Sequence, residues 1–275
     1  MPPSRRNGRP GFTLVEALVV LGIIGVLLAL LLPALQLVRA RAGGTECANN
    51  LRQQALAANQ AQTDHHTFPP AFYFWPGEGP PAPLAGPLWH LLPYLEQSPL
   101  YGQPLVADRA APRLRLFQCP ADPTASSGGP TSSYILNEYL FNGFIQAKEI
   151  TDGASNTALF TETYANCDGA HPVYWSNSSA TTLLLYGPED GATFRASPST
   201  SVHSATNPGG CSTTIGDNAQ SAHAGGIMMA MADGSVRMVS KAGADQPASV
   251  RGGRMVTNWA AAFTPKSGEV FGPDW

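Results

Sequence analysis

The pattern of hydrophobic and polar positions divides this chain sharply. From Ala17 to Leu35 no charged residue occurs, and apart from Pro33 and the glycines Gly22 and Gly25 the run is almost wholly aliphatic. At 1.5 Å per residue, about twenty such residues cross the hydrocarbon core of a bilayer. Backbone groups in lipid must bond within the segment, so the pattern predicts a transmembrane helix over about residues 14–37. Beyond it the period changes. Ala48, Leu51, Ala55 and Ala58 recur at three- and four-residue steps with Arg52, Gln53, Asn59 and Gln60 between them, which predicts a half-buried continuation of the helix. Phe68-Pro69-Pro70 ends it, because a residue before proline avoids the helical region.

Weaker periodicities follow. Leu88, Leu91, Leu92 and Leu95 are spaced for one face of a short helix or helical turn within Leu88–Tyr101. Leu114–Gln118, Ser133–Leu140 and Ala158–Thr163 are expected as strands, with Cys119–Gly129 and Ile150–Thr157 as turns. Ile227–Ala232 and Ser235–Val239 flank Asp233-Gly234, a strong signal for a hairpin closed by a two-residue type I′ turn. The expected fold class is therefore α+β: a long N-terminal α-helix whose first half spans the membrane, packed on a loop-rich head with an antiparallel β-sheet. Twenty-eight glycines and 25 prolines account for the loops.

One residue breaks the oily segment. Glu16 lies at its start, after a basic leader (Arg5, Arg6, Arg9) and a Gly11–Phe12 step. An acid at a membrane-helix centre costs roughly 2.5–3.5 kcal/mol, and less near an end, so its presence asks for a compensating partner. In a chain beginning at Phe12, Glu16 would be the fifth residue and Pro33 the twenty-second.

G-F-T-L-V-E followed by an apolar helix resembles the N-terminal signature of type IV prepilins and the pseudopilins of type II secretion. The resemblance implies cleavage between Gly11 and Phe12 by a prepilin peptidase/methyltransferase, N-methylation of Phe12, and pairing of Glu16 with the amino terminus of a neighbouring subunit. Further landmarks, namely CANNLRQQALA, FQCPAD, ITDGASNTALFTET and an H-x9-DG pattern formed by His223, Asp233 and Gly234, are similar to a large bacterial family of prepilin-like proteins of unassigned function. A pilin-like architecture follows: leader 1–11, long helix 12–62, extracytoplasmic head 63–275, in a single-pass protein of the bacterial inner membrane. The positive-inside rule adds little, since Arg39 and Arg41 follow the helix as closely as the leader precedes it.

Composition limits the rest. Charged residues make up 13% and hydrophobic ones 43%, and a net charge of −3 gives no electrostatic case for nucleic-acid binding. Four cysteines, Cys47, Cys119, Cys167 and Cys211, allow three complete pairings, with Cys167–Cys211 favoured for a single bridge. No catalytic motif is present. Ser221, His223 and Asp233 invite a triad reading, but His223 is better read as bonding a loop against the hairpin and Asp233 as a turn residue, both structural.

His65-His66 suits a helix C-terminus. Met228, Met229, Met231 and Met238 suit a core, as do the aromatics Phe72–Trp75. Asp217 with Asn218, and Glu189 with Asp190, make no recognisable calcium loop, so no metal and no cofactor is expected. The expected role is a structural, non-enzymatic filament subunit whose partners are the peptidase, other pilin-like subunits and the bilayer. The alternative is a membrane-tethered module binding a glycan or peptide.

Overall fold

The computed structural model describes residues 13–70, 73–76, 84–103, 112–125, 130–141, 143–165, 184–185, 219–223, 225–249, 255–272 and 275. Its first element is a 52-residue helix, α1 (Leu14–His65), with Pro33 inside it. Among the described residues it is the one helix long and apolar enough to cross a membrane. The chain divides into two compact units between Ala42 and Gly43, so residues 43–65 of α1 belong to the same unit as the head.

In the first unit the large aliphatic side chains described between Leu14 and Leu35 are exposed, as is Val38. Thr13 and Glu16 form a capping box at the helix start. The Thr13 amide and hydroxyl donate to Glu16 Oε2 at 2.9 and 2.7 Å, and the Glu16 amide reaches back to Thr13 Oγ1 at 3.3 Å. The T-x-x-E spacing satisfies donors that a helix N-terminus leaves open.

In the second unit, Leu51, Ala55 and Ala58 are fully buried and Ala48 packs at the edge of the same core, as their spacing requires; Arg52 and Gln53 are exposed. The helix ends at His65, three residues beyond the expected boundary, with His66 in the left-handed conformation (φ 65°). Next comes a two-stranded ribbon, β1 (Tyr73–Phe74) with β2 (Leu84–Ala85). The expected helix over Leu88–Tyr101 is broken into α2 (Pro87–His90), a 3₁₀ turn Leu92–Leu95 and α3 (Ser98–Tyr101). Proline opens each piece within its first two positions and Glu96 is left-handed (φ 60°), so one regular helix cannot form, although Leu88, Leu91 and Leu92 are buried as predicted.

Leu114–Gln118 is not a strand. It is a 3₁₀ turn, Arg115–Phe117, that buries Phe117. The main sheet has five strands: β3 (Tyr134–Asn137), β4 (Ala158–Glu162), β5 (Leu184–Leu185), β6 (Ile227–Met231) and β7 (Val236–Val239), in the order β5-β3-β4-β6-β7. All pairings are antiparallel except β3 with β5 at one edge. The strand expected over Ser133–Leu140 stops at Asn137, and a helical turn, α4 (Glu138–Phe141), replaces its second half. Every residue of β4 and β6 is buried, so these central strands read as apolar runs without alternation.

The hairpin forms as its sequence predicts, but the turn differs. Ala230 pairs with Val236, and the Met231 amide donates to the Ser235 carbonyl at 2.8 Å, leaving a three-residue loop, Ala232–Gly234. Only Gly234 has positive φ (84°) there, while a type I′ turn would require it at Asp233 as well. Asp233 is an exposed turn residue whose Oδ1 accepts from the Ser235 amide at 2.8 Å. Gly226 opens the hairpin at φ 152°; a Cβ there would stand 2.2 Å from the Val239 carbonyl oxygen. The chain closes with α5 (Lys241–Ala244), the ribbon β8 (Pro247–Ser249) with β9 (Met255–Thr257), and α6 (Asn258–Phe263), whose N-cap Thr257 accepts from the Ala260 amide.

Phe68, Phe141 and Phe160 form a tilted aromatic series through the core, with centroids 5.7 and 5.5 Å apart. Phe160 sits mid-sheet and is fully buried, so Phe160→Ala should destabilise the protein by about 3–5 kcal/mol. Urea unfolding of the full chain in detergent checks this; a loss under about 1 kcal/mol would mean that this series is not the centre of the core.

Candidate functional site: a buried ion pair beside a disulfide

Four side chains from distant parts of the sequence meet at one end of the central strands. Glu162 is the last residue of β4 and is only 2% exposed. The segment 219–223 crosses beside it: the Gln220 amide donates to the Glu162 carbonyl at 3.0 Å, and Ser221 Oγ donates to Glu162 Oε2 at 2.6 Å. The Met228 amide, in β6, donates to the same oxygen at 2.9 Å. These two donors fix the carboxylate and turn Oε1 toward His223, whose Nε2 lies 3.1 Å away. Oε1 is buried and has no hydrogen-bond partner beyond this ion-pair contact.

His223 is positioned from its own backbone, its amide donating to Ser221 Oγ at 3.1 Å. Its Nε2 faces a second group, Cys119 Sγ, at 3.4 Å. Cys119 is bridged to Cys47 of α1, with the two Cα atoms 5.0 Å apart. The helix backbone also passes close by: a Cβ on Gly44 would make ordinary contacts with Met228 Cε (3.4 Å) and the His223 ring (3.8 Å). Cys119 further lines a cavity of about 610 Å³ together with Glu46, Arg113, Arg115, Gln118, Pro120, Asp122 and Ala125.

The segment that carries Cys119 is pinned by buried polar groups. Asp122 Oδ1 accepts from the Thr124 amide and hydroxyl, and Oδ2 accepts from Ser133 Oγ (2.7 Å) and the Ala165 amide (2.8 Å). From α1, Asn50 Nδ2 donates to the Gln118 carbonyl at 3.1 Å and Gln54 Nε2 to the Leu116 carbonyl at 2.9 Å. Burial alone would lower the pKa of His223. The Glu162 carboxylate beside the ring outweighs it and holds His223 above the ordinary histidine range.

The residues singled out by sequence divide accordingly. His223 is buried against a loop and the hairpin, as read, but its acidic partner is Glu162. Asp233 lies in the hairpin turn, and the Ser221 hydroxyl is engaged with Glu162. A Ser221–His223–Asp233 triad is thus not assembled. Met228, Met229 and Met231 are core residues, whereas Met238 is 47% exposed. His65 packs edge-on against the buried Trp75 at 4.5 Å.

Gly11, Phe12, Phe72, Cys167, Glu189, Asp190, Cys211, Asp217 and Asn218 lie outside the described residues. The bridge among the described residues is Cys47–Cys119, which the sequence reading did not single out. Glu162 was missed as well, although an acid closing the apolar run A-L-F-T-E is the same kind of anomaly that drew attention to Glu16.

The comparisons with known proteins agree at both ends. The family described as Prokaryotic N-terminal methylation motif matches residues 6–32. The family described as Protein of unknown function (DUF1559) matches residues 36–140 and 138–246. These matches extend over most of the chain, which belongs to the DUF1559 family and carries the N-terminal motif of a prepilin-like, peptidase-processed protein. No curated protein and no solved structure matches it.

The ion pair makes stability depend on pH with a definite sign. A histidine whose folded pKa is raised contributes stability that is complete below its unfolded value, about 6.5, and is lost as pH rises through the folded pKa. His223→Gln should therefore lower Tm most at acidic pH, the gap to the parent protein narrowing toward alkaline pH. A gap that widens with pH in thermal melts would contradict the pairing.

Proposed function

We propose that this protein is a structural subunit of a pilus-like filament, of the type IV pilus or type II secretion pseudopilus kind. In this reading it is cut between Gly11 and Phe12, methylated at Phe12, and assembled through its apolar helix. The observation that carries the proposal is the N-terminal methylation motif lying directly on a long apolar helix whose large aliphatic side chains are exposed. So large an apolar surface requires a cover, and lipid before assembly and sister helices after it both supply one. Glu16 suits the same passage: its carboxylate is held by Thr13 in the free subunit and is placed to meet a neighbour's new α-ammonium in the filament.

The head is placed outside the cytoplasm in this proposal, an assignment supported by the Cys47–Cys119 disulfide, since such bridges persist in oxidising compartments. The role is structural rather than catalytic, and the engagement of Ser221 and His223 with Glu162 supports that choice. A tethered glycan- or peptide-binding module would share the anchor and lack the filament, so filament co-purification separates the two.

Two measurements test the proposal. N-terminal mass spectrometry of the membrane protein should find a mature chain starting at N-methylated Phe12; a chain retaining Met1 in cells with active peptidase would exclude processing. Glu16→Val should leave insertion and cleavage largely intact while reducing incorporation into sheared filaments by at least about tenfold, the equivalent of roughly 1.4 kcal/mol. Undiminished incorporation would remove Glu16 from assembly.

A further inference from the structure

We infer that the reduced protein holds a Zn²⁺ ion between Cys47, Cys119, Glu162 and His223, the disulfide being the locked, metal-free form of the same site. The ligand atoms of these four buried residues all lie within 4.8 Å of one another. A tetrahedral zinc site with bonds of about 2.0–2.3 Å has edges of roughly 3.3–3.8 Å between ligand atoms. Cys119 Sγ to His223 Nε2 (3.4 Å) and His223 Nε2 to Glu162 Oε1 (3.1 Å) are already close to such edges. The two sulfurs must separate, from bonding distance to about 3.8 Å, and the remaining pairs, all within 4.8 Å, must settle to similar edges. Two thiolates with an imidazole and a carboxylate suit Zn²⁺ and not Ca²⁺ or Mg²⁺, whose ligands are oxygens.

The surroundings resemble the outer shell of a metal site. Ser221 and the Met228 amide occupy Glu162 Oε2 and leave Oε1 directed inward, toward His223 Nε2 alone. Of the four, Cys119 also lines the neighbouring cavity. The chemistry balances simply. A dithiol thiolate attacks one sulfur of the bridge to form a mixed disulfide, and the released cysteine thiolate takes up a proton. The reductant's second thiol then attacks its own sulfur in the mixed disulfide, closing its ring and releasing the second cysteine, which takes up the proton given up by that thiol. Zn²⁺ then displaces one proton from each cysteine, and the proton of His223 where the ring is charged. This site lies outside every sequence expectation, which foresaw no metal, and it is independent of filament assembly.

The test uses the full chain in detergent micelles, reduced with dithiothreitol, freed of reductant under anaerobic conditions and titrated with Co²⁺ and then Zn²⁺. The reduced protein should take up one Co²⁺ with the visible bands of a tetrahedral ion and thiolate-to-metal charge transfer, and Zn²⁺ should displace it. The oxidised protein should show neither. Cys47→Ser and His223→Ala should each weaken binding more than tenfold, and Ser221→Ala about 10–100-fold. Folded, reduced protein that binds no Co²⁺ would overturn the inference, as would equal binding by the oxidised form. Binding that survives both Cys47→Ser and His223→Ala would assign the metal to other thiols and overturn it too. Should reduction unfold the head, recovery of its circular dichroism on adding Zn²⁺ supports the site, and failure to recover rejects it.

Discussion

Attachment of the second half of α1 to the segment 115–119 is the constraint on which the head depends. Cys47, Asn50 and Gln54 stand three and seven residues apart, so they share one helix face. All three reach the same short stretch: a disulfide to Cys119, a hydrogen bond to the Gln118 carbonyl and another to the Leu116 carbonyl. The 3₁₀ turn over Arg115–Phe117 has little regular hydrogen bonding of its own, and side chains of the helix satisfy carbonyls that burial would otherwise leave open. Closing a loop across the 72 residues between the two cysteines removes chain entropy worth about 4 kcal/mol in the simple loop model. A helix that would be marginal alone is thereby made part of the core it helps to form.

The same attachment explains why so much of the interior is polar. Glu162, Asp122, Ser133, Ser221 and His223 are all buried, and each has a partner from a different part of the chain. Buried charges of this kind add little net stability against an apolar replacement, but removing one partner is costly. Their effect is to make the arrangement of loops specific. The elements described in the head after α1 are at most six residues long, and apolar packing alone tolerates many loop placements. Oriented carboxylates accepting from named amides and hydroxyls tolerate far fewer.

What the sequence revealed and what it concealed follow from the range of the interactions. The long apolar helix, its amphipathic continuation and the Asp233-Gly234 hairpin were legible because their signals are local: a hydrophobic period or a turn residue states its own structure. Arg115–Phe117 was misread as a strand because its conformation is set by contacts with a helix more than sixty residues away. The break in Leu88–Tyr101 was partly visible, since Pro87, Pro93 and Pro99 each favour a helix start over a helix interior. The type I′ turn gave way to a three-residue loop in which Gly234 alone supplies a positive φ. Glu162 needed no structure to be suspected, only the rule already applied to Glu16, that an acid in an apolar run requires a reason.

Those two acids are answers to one physical problem in the two separate units of the chain. A carboxylate removed from water must find donors or a cation. Glu162 finds both permanently, with Ser221 and Met228 on one oxygen and His223 on the other. Glu16 finds only donors, and only from Thr13 and the helix start, with its second oxygen outside the capping box. The first arrangement is closed and holds the head together. The second is half-complete within one chain, its partners all coming from Thr13. In the filament proposed above, that difference separates a residue kept for folding from one kept for association.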